Sequence, residues 1–196
     1  MGDDGESVEA TASPIVNGTV MTQTEVTNRG LAAVYDKVYQ SDGGSSWFPR
    51  PCSGIILSSS GGVSKVLTAR HCVTRDVSIN GTPVGPADIR VIATASPGMA
   101  NPNPPAGAIT ASAVTAMPTA TADRKRDLAI VTVNANWSAN VAARPAVLIA
   151  NPSTLVGKDL IAYGYGMSIN NWSCPTTGST GAGIARKASP FTVTSG

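Results

Sequence analysis

The hydrophobic positions of this chain fall in short bursts bounded by Gly, Pro, Ser or Asn, a pattern that predicts strands joined by turns. Leu31 to Tyr39 alternates loosely and predicts a strand. Gly54–Leu57 and Ser64–Thr68 predict a hairpin around the turn Ser58-Ser59-Ser60-Gly61-Gly62. Short strands are expected at Val77–Ile79 and Ile89–Ala93, separated by Asn80-Gly81, and again at Ile109–Met117. Leu128-Ala129-Ile130-Val131-Thr132-Val133 follows the charged turn Asp123–Asp127 and predicts a strand buried on both faces. Val147–Ala150, Leu160–Tyr165 and Gly183–Thr194 supply about three more strands. Between them, Ser41–Ser46 reads as a flexible loop, Ser96–Pro105 as a proline-rich surface loop, and Trp137–Pro145 as a connector. No long stretch carries a helical period.

Counted this way, six or seven strands precede Val133 and about three follow it. A closed barrel needs about six strands, so residues 15–134 are expected to form a complete N-terminal barrel. Residues 135–196 then form the first part of a second barrel, since three strands with open edges are a poor unit alone. Residues 1–14 lack periodicity and are rich in Asp, Glu, Ser, Thr and Gly, the composition of a leader or propeptide.

Composition narrows the classes of function. Charged residues make up 13% of the chain and the formal charge is only +2, too little to argue for nucleic acid or an anionic membrane. No apolar run approaches the ~20 residues that span a bilayer. Met1-Gly2-Asp3-Asp4-Gly5-Glu6 is acidic where an export signal is basic and then apolar. Of the three cysteines, Cys52 heads the first strand of the hairpin and Cys72 follows the second, which places them to close it by a disulfide. Cys174 is left over. A disulfide in a loop-rich chain favours an oxidising compartment, secreted or periplasmic. One histidine and three cysteines offer no metal-ligand spacing, and no cofactor motif is present.

The only histidine, His71, lies in Val66-Leu67-Thr68-Ala69-Arg70-His71-Cys72-Val73, at the end of the second hairpin strand. A scaffold strapped by the neighbouring cysteine can fix its ring. Asp127, at the start of an apolar strand, is a carboxylate that burial could orient. An aspartate accepting from an imidazole Nδ1–H fixes the tautomer and stabilises the imidazolium formed in catalysis. His71 therefore reads as a catalytic base.

Ile15-Val16-Asn17-Gly18, Cys52-Ser53-Gly54, Leu67-Thr68-Ala69-Arg70-His71-Cys72 and Asp127-Leu128-Ala129-Ile130 occur in that order and resemble the chymotrypsin-like (trypsin-like) serine proteases. Ala162-Tyr163-Gly164-Tyr165-Gly166 is similar to the family's Gly-Trp-Gly strand, with Tyr165 in place of Trp. The resemblance implies an all-β double barrel, the first complete and the second partly present. It implies His71 as general base, Asp127 as its orienting carboxylate, Cys52–Cys72 as a disulfide, and Ile15 as the N-terminus released when a zymogen is cut. It also implies a protein or peptide substrate.

The departures are informative. The family's Gly-Asp-Ser-Gly-Gly segment is absent, and with it the nucleophile and the oxyanion-hole amides. Ser60-Gly61-Gly62 precedes His71 and belongs to a hairpin tip, and Gly178-Ser179-Thr180-Gly181 has no strand-to-helix context. Arg70 stands where the family usually has Ala, and its cation is expected to point outward. Pro14 precedes Ile15 where tryptic activation would need Lys or Arg. The expectation is a serine endopeptidase whose nucleophile lies in a C-terminal segment or second chain, this chain alone being inactive. The alternative is a non-catalytic binding protein on the same scaffold.

Overall fold

The computed structural model describes residues 18–39, 42–48, 51–76, 80–98, 100, 103–118, 127–142, 152–165 and 183–192. The second strand, β2 (Leu31–Tyr39), is buried on both faces along most of its length, and the rest of the fold is laid out on its two sides. It pairs antiparallel with β4 (Cys52–Ser60) along one edge and with β6 (Ile89–Ile92) along the other. From β4 the ladder continues through β5 (Val63–Thr68), β8 (Ala129–Val133) and β7 (Ile109–Ala116), and β7 returns to β6. The ring is a closed six-stranded barrel, in which each strand is paired on both sides. A short strand, β3 (Ser45–Trp47), extends the sheet beyond the barrel by pairing with Lys37–Tyr39.

Alternation explains the core. Ala32 and Val34 of β2 point inward with Ile56, Val66, Val91, Ala111, Ala129, Val131 and Val133, and each large side chain buried there contributes roughly 1.5–3 kcal/mol. The opposite face of β2, Leu31, Ala33 and Tyr35, packs with Met21, Val26, Ala95, Ala100, Tyr165 and Ala185. That second cluster joins the barrel to the C-terminal portion. β4 crosses the barrel wall at Gly54, where an added Cβ would lie 2.6 Å from Val66 Cγ1 and 3.2 Å from Val34 Cγ2. Only a residue without a side chain lets the three strands approach so closely.

Beyond the barrel, β1 (Thr19–Val20), β11 (Arg186–Lys187) and β10 (Tyr163–Gly164) form a three-stranded sheet. β9 (Asp159–Leu160) pairs with β12 (Phe191–Thr192). The fold is thus all-β around one closed barrel, as expected, and these two small sheets beside it are in keeping with a partly present second barrel; β1, expected in the N-terminal barrel of residues 15–134, pairs instead with β11. Between β1 and β2 lies a helix, α1 (Gln23–Arg29), which the sequence reading passed over. Thr22 and Glu25 form a reciprocal capping box at its start, and Gly30, in the left-handed region at φ 63°, ends it.

Several local expectations change. β8 is buried on alternate residues rather than on both faces, and Leu128 is exposed, because only one face of a barrel strand meets the core. The Ser41–Ser46 loop gives way to β3 at Ser45, since β2 runs past the barrel and offers a free edge there. The connector after Trp137 contains a short helix, α2 (Ser138–Ala142). The hairpin strands extend to Ser60 and Val63, and the turn tightens to Gly61-Gly62. The expected strands at 77–79 and 147–150 lie outside the described residues, as do Ile15 and Cys174.

Candidate active site

After Thr68 the chain leaves β5 through Ala69, in extended conformation, and tightens into a single 3₁₀ turn, Arg70–Val73. His71 therefore sits just past the strand rather than at its end. The turn is held from within by Cys72 N–H donating to the Ala69 carbonyl (3.2 Å) and by Thr74 Oγ1 donating to the His71 carbonyl (3.1 Å). Cys72 is disulfide-bonded to Cys52, with 6.0 Å between the Cα atoms, and this ties the turn to the first residue of β4.

Strand register brings the carboxylate to this turn. Thr68 lies opposite Ala129, so residues just after β5 and just before β8 emerge side by side. Asp127 Oδ1 accepts from the backbone N–H of His71 at 2.8 Å, and Oδ2 accepts from Nδ1 at 2.7 Å. One carboxylate thus fixes both the backbone and the ring. With Nδ1 carrying the proton, Nε2 presents a lone pair. The His71 side chain is 40% exposed and that of Asp127 24%, so the imidazole stays accessible while its partner is more enclosed.

Beneath the hairpin, Thr68 Oγ1 donates to the Ser53 carbonyl (2.9 Å), and Ser53 Oγ accepts from the Tyr165 N–H (2.9 Å). Tyr165 is buried and its hydroxyl donates to the Thr94 carbonyl at 2.8 Å. Burial pushes its phenol pKa upward. The Tyr-for-Trp exchange at Tyr165, just past β10, therefore has a structural use: the ring fills the seam between the barrel and the C-terminal portion, and its hydroxyl crosses it. These roles of Ser53, Thr68 and Thr74 depend on nonlocal register, which hydroxyl side chains do not announce in a sequence.

Arg70 departs from expectation. Its side chain is buried, 4% exposed, and Nε donates to the Met117 carbonyl at 2.9 Å instead of reaching into solvent. The imidazole and the sulfurs of Cys52 and Cys72 lie within 4.8 Å of one another, but the sulfurs are joined to each other and offer no thiolate to a cation. Ser60-Gly61-Gly62 forms the hairpin tip, as the sequence indicated. Among the described residues no serine hydroxyl is hydrogen-bonded to Nε2 of His71. A separate groove, lined by Thr19, Glu25, Arg29, Tyr163 and Lys187, contains neither His71 nor Asp127. Its charges are engaged locally, Lys187 with Glu25 and Arg29 over the Tyr163 ring.

No curated protein sequence matches this chain. Among solved structures, it is similar to the scabies mite inactivated protease paralogue S-I1, with 21% identity and a TM-score of 0.53, covering 91% of this chain and 65% of that one. It is also similar to the scabies mite paralogue S-D1, with 15% identity and a TM-score of 0.50, covering 92% and 63% of the two chains. A Glu endopeptidase is similar at 20% identity and a TM-score of 0.53, covering 93% and 72%. The chain thus spans less than two thirds of the length of each mite paralogue. Likeness at this identity speaks for the fold. The family model for trypsin matches residues 16–182, most of the chain. By that match, with a closed six-stranded barrel and an imidazole–carboxylate pair at its rim, the chain belongs to the trypsin family of chymotrypsin-like serine proteases.

Proposed function

We propose that this chain is the base-bearing part of a trypsin-like serine endopeptidase. His71 is the general base and Asp127 its orienting carboxylate; the nucleophilic serine comes from a C-terminal segment or a second chain outside these 196 residues. The observation that carries this reading is the double hold of Asp127 on His71, at 2.8 Å to the backbone and 2.7 Å to Nδ1. That arrangement leaves Nε2 as the atom that takes the serine proton. The serine oxygen then attacks the peptide carbonyl, and the imidazolium returns the proton to the leaving amine. Water repeats the sequence to free the acyl group, and no cofactor takes part.

In this reading residues 15–134 supply the acid–base pair, and residues 135–196 begin the unit that the complementary segment completes. Residues 1–14 are the leader of a zymogen whose cut releases Ile15. The Cys52–Cys72 disulfide supports a secreted or periplasmic protein, and no helix among the described residues is long and apolar enough to cross a membrane. Protein or peptide is the substrate.

A second reading, a non-catalytic binding protein, draws on the two mite structures, which are of inactivated paralogues. A serine-directed fluorophosphonate separates the two. On protein expressed from the whole coding region, the first reading expects a single adduct by intact mass, mapped to a serine beyond Gly196. A folded, processed protein that takes no adduct favours the second.

A further inference from the structure

Arg70 and Cys72 flank the imidazole, and they are anchored to different walls of the barrel. Cys72 is joined to Cys52, at the start of β4. Arg70 Nε donates to the Met117 carbonyl, just past the end of β7. Met117 in turn donates its N–H to the Leu128 carbonyl at 2.9 Å, a rung that continues the β7–β8 ladder beyond Ala116 opposite Ala129. Leu128 adjoins Asp127. A short path of bonds therefore runs from the residue before His71 to the residue after Asp127. The disulfide offers no such link, because β4 does not neighbour β8.

Burying a guanidinium is costly unless acceptors are built to meet it. Arg70 is 4% exposed, so this cation is held by the fold and is not a surface charge at rest.

We propose that Arg70 is a positioning residue, which fixes the His71 turn against the Asp127 end of β8 and so sets the imidazole–carboxylate hydrogen bond. This rests on the reading of His71 and Asp127 as the acid–base pair, but it can be tested without turnover. The chain has one histidine, so its imidazole gives a single set of NMR signals. The measurement is the Nδ1–H resonance of His71 and its exchange rate in the 196-residue protein, with cooperative thermal unfolding recorded as the check on folding. Unaltered protein is expected to show a downfield, slowly exchanging proton. Arg70→Met keeps the aliphatic stem but removes the donor; it is expected to unfold cooperatively yet exchange that proton at least tenfold faster. Arg70→Lys, which restores a cationic donor, is expected to bring the resonance back.

A folded Arg70→Met variant with unaltered resonance and exchange overturns the assignment while leaving the His71–Asp127 pair intact. If Arg70→Met does not fold, Arg70→Lys decides: folded with the resonance supports the role, folded without it overturns it. Absence of the resonance from folded, unaltered protein counts against the pair itself and against Arg70 with it.

Discussion

Asp127 holds His71 at two points at once, one carboxylate oxygen on the backbone N–H at 2.8 Å and the other on Nδ1 at 2.7 Å. The two contacts have different consequences. The first fixes where the 3₁₀ turn sits relative to β8, and the second fixes which ring nitrogen is free. Asp127→Asn keeps an acceptor for the backbone but presents an amide that can donate to the ring, which favours the wrong tautomer. In the assembled enzyme we expect kcat to fall about 10⁴-fold with KM little changed. Steady-state hydrolysis of a peptide substrate checks it; an unchanged kcat would remove Asp127 from the machinery.

The Cys52–Cys72 disulfide closes a loop with a sequence separation of 20. A loop of that size restricts the unfolded chain by roughly 3 kcal/mol. We expect Cys52→Ser/Cys72→Ser to lower the urea midpoint accordingly, with the barrel still folding because its ladder is closed by other pairings. Equilibrium denaturation measures this; a midpoint within error of the unaltered protein would contradict it.

Gly54 sits where β2, β4 and β5 approach most closely, with Val66 and Val34 on one side and the Leu67 carbonyl 3.2 Å from any added Cβ. Valine is stiff at χ1 and a backbone carbonyl does not swing aside. Gly54→Ala is therefore expected to destabilise by about 1–3 kcal/mol through overpacking. A neutral or stabilising result in denaturant titration would show that the wall gives way more easily than its contacts suggest.

Asp36 lies on β2 opposite Ile89, 1% exposed, with Oδ2 lacking any hydrogen-bond partner. Burial pushes its carboxyl pKa up to about 7. The unfolded chain has an ordinary carboxyl near ~3.9, so between roughly pH 4 and 7 the folded state binds the extra proton. Its contribution to stability is full below the unfolded value and is lost as pH rises through the folded one. Asp36→Asn removes the charge for good. We expect it to raise the urea midpoint at pH 8, by an amount on the order of a few kcal/mol in free energy, and to do little at pH 4. An equal effect at both pH values would show that Asp36 does not titrate in this range.

How far the sequence foretold the structure depends on how local each feature is. β2, the β4–β5 hairpin and β8 were legible because alternation and turn residues act over a few positions. The seven-residue helix α1 was too short for a helical period, although Thr22 and Glu25 carried a capping signature. β3, built on two serines and Trp47, read as loop by composition and is a strand because β2 offers it an edge. Asp127 could be named as a carboxylate that burial can orient, but its meeting with His71 depends on the register of Thr68 opposite Ala129, which no local pattern encodes. Arg70 was misread for the same reason: its acceptor is a carbonyl 47 residues away, and the sequence around it gives no sign of burial.

On the proposed function, His71 is the base of a serine endopeptidase whose serine lies outside these residues. The most direct test of this claim compares kcat/KM for peptide hydrolysis between protein expressed from the whole coding region and its His71→Ala variant. Loss of the base is expected to cost at least about 10⁴-fold, with unfolding behaviour preserved. Hydrolysis that survives undiminished in folded His71→Ala protein would contradict the claim.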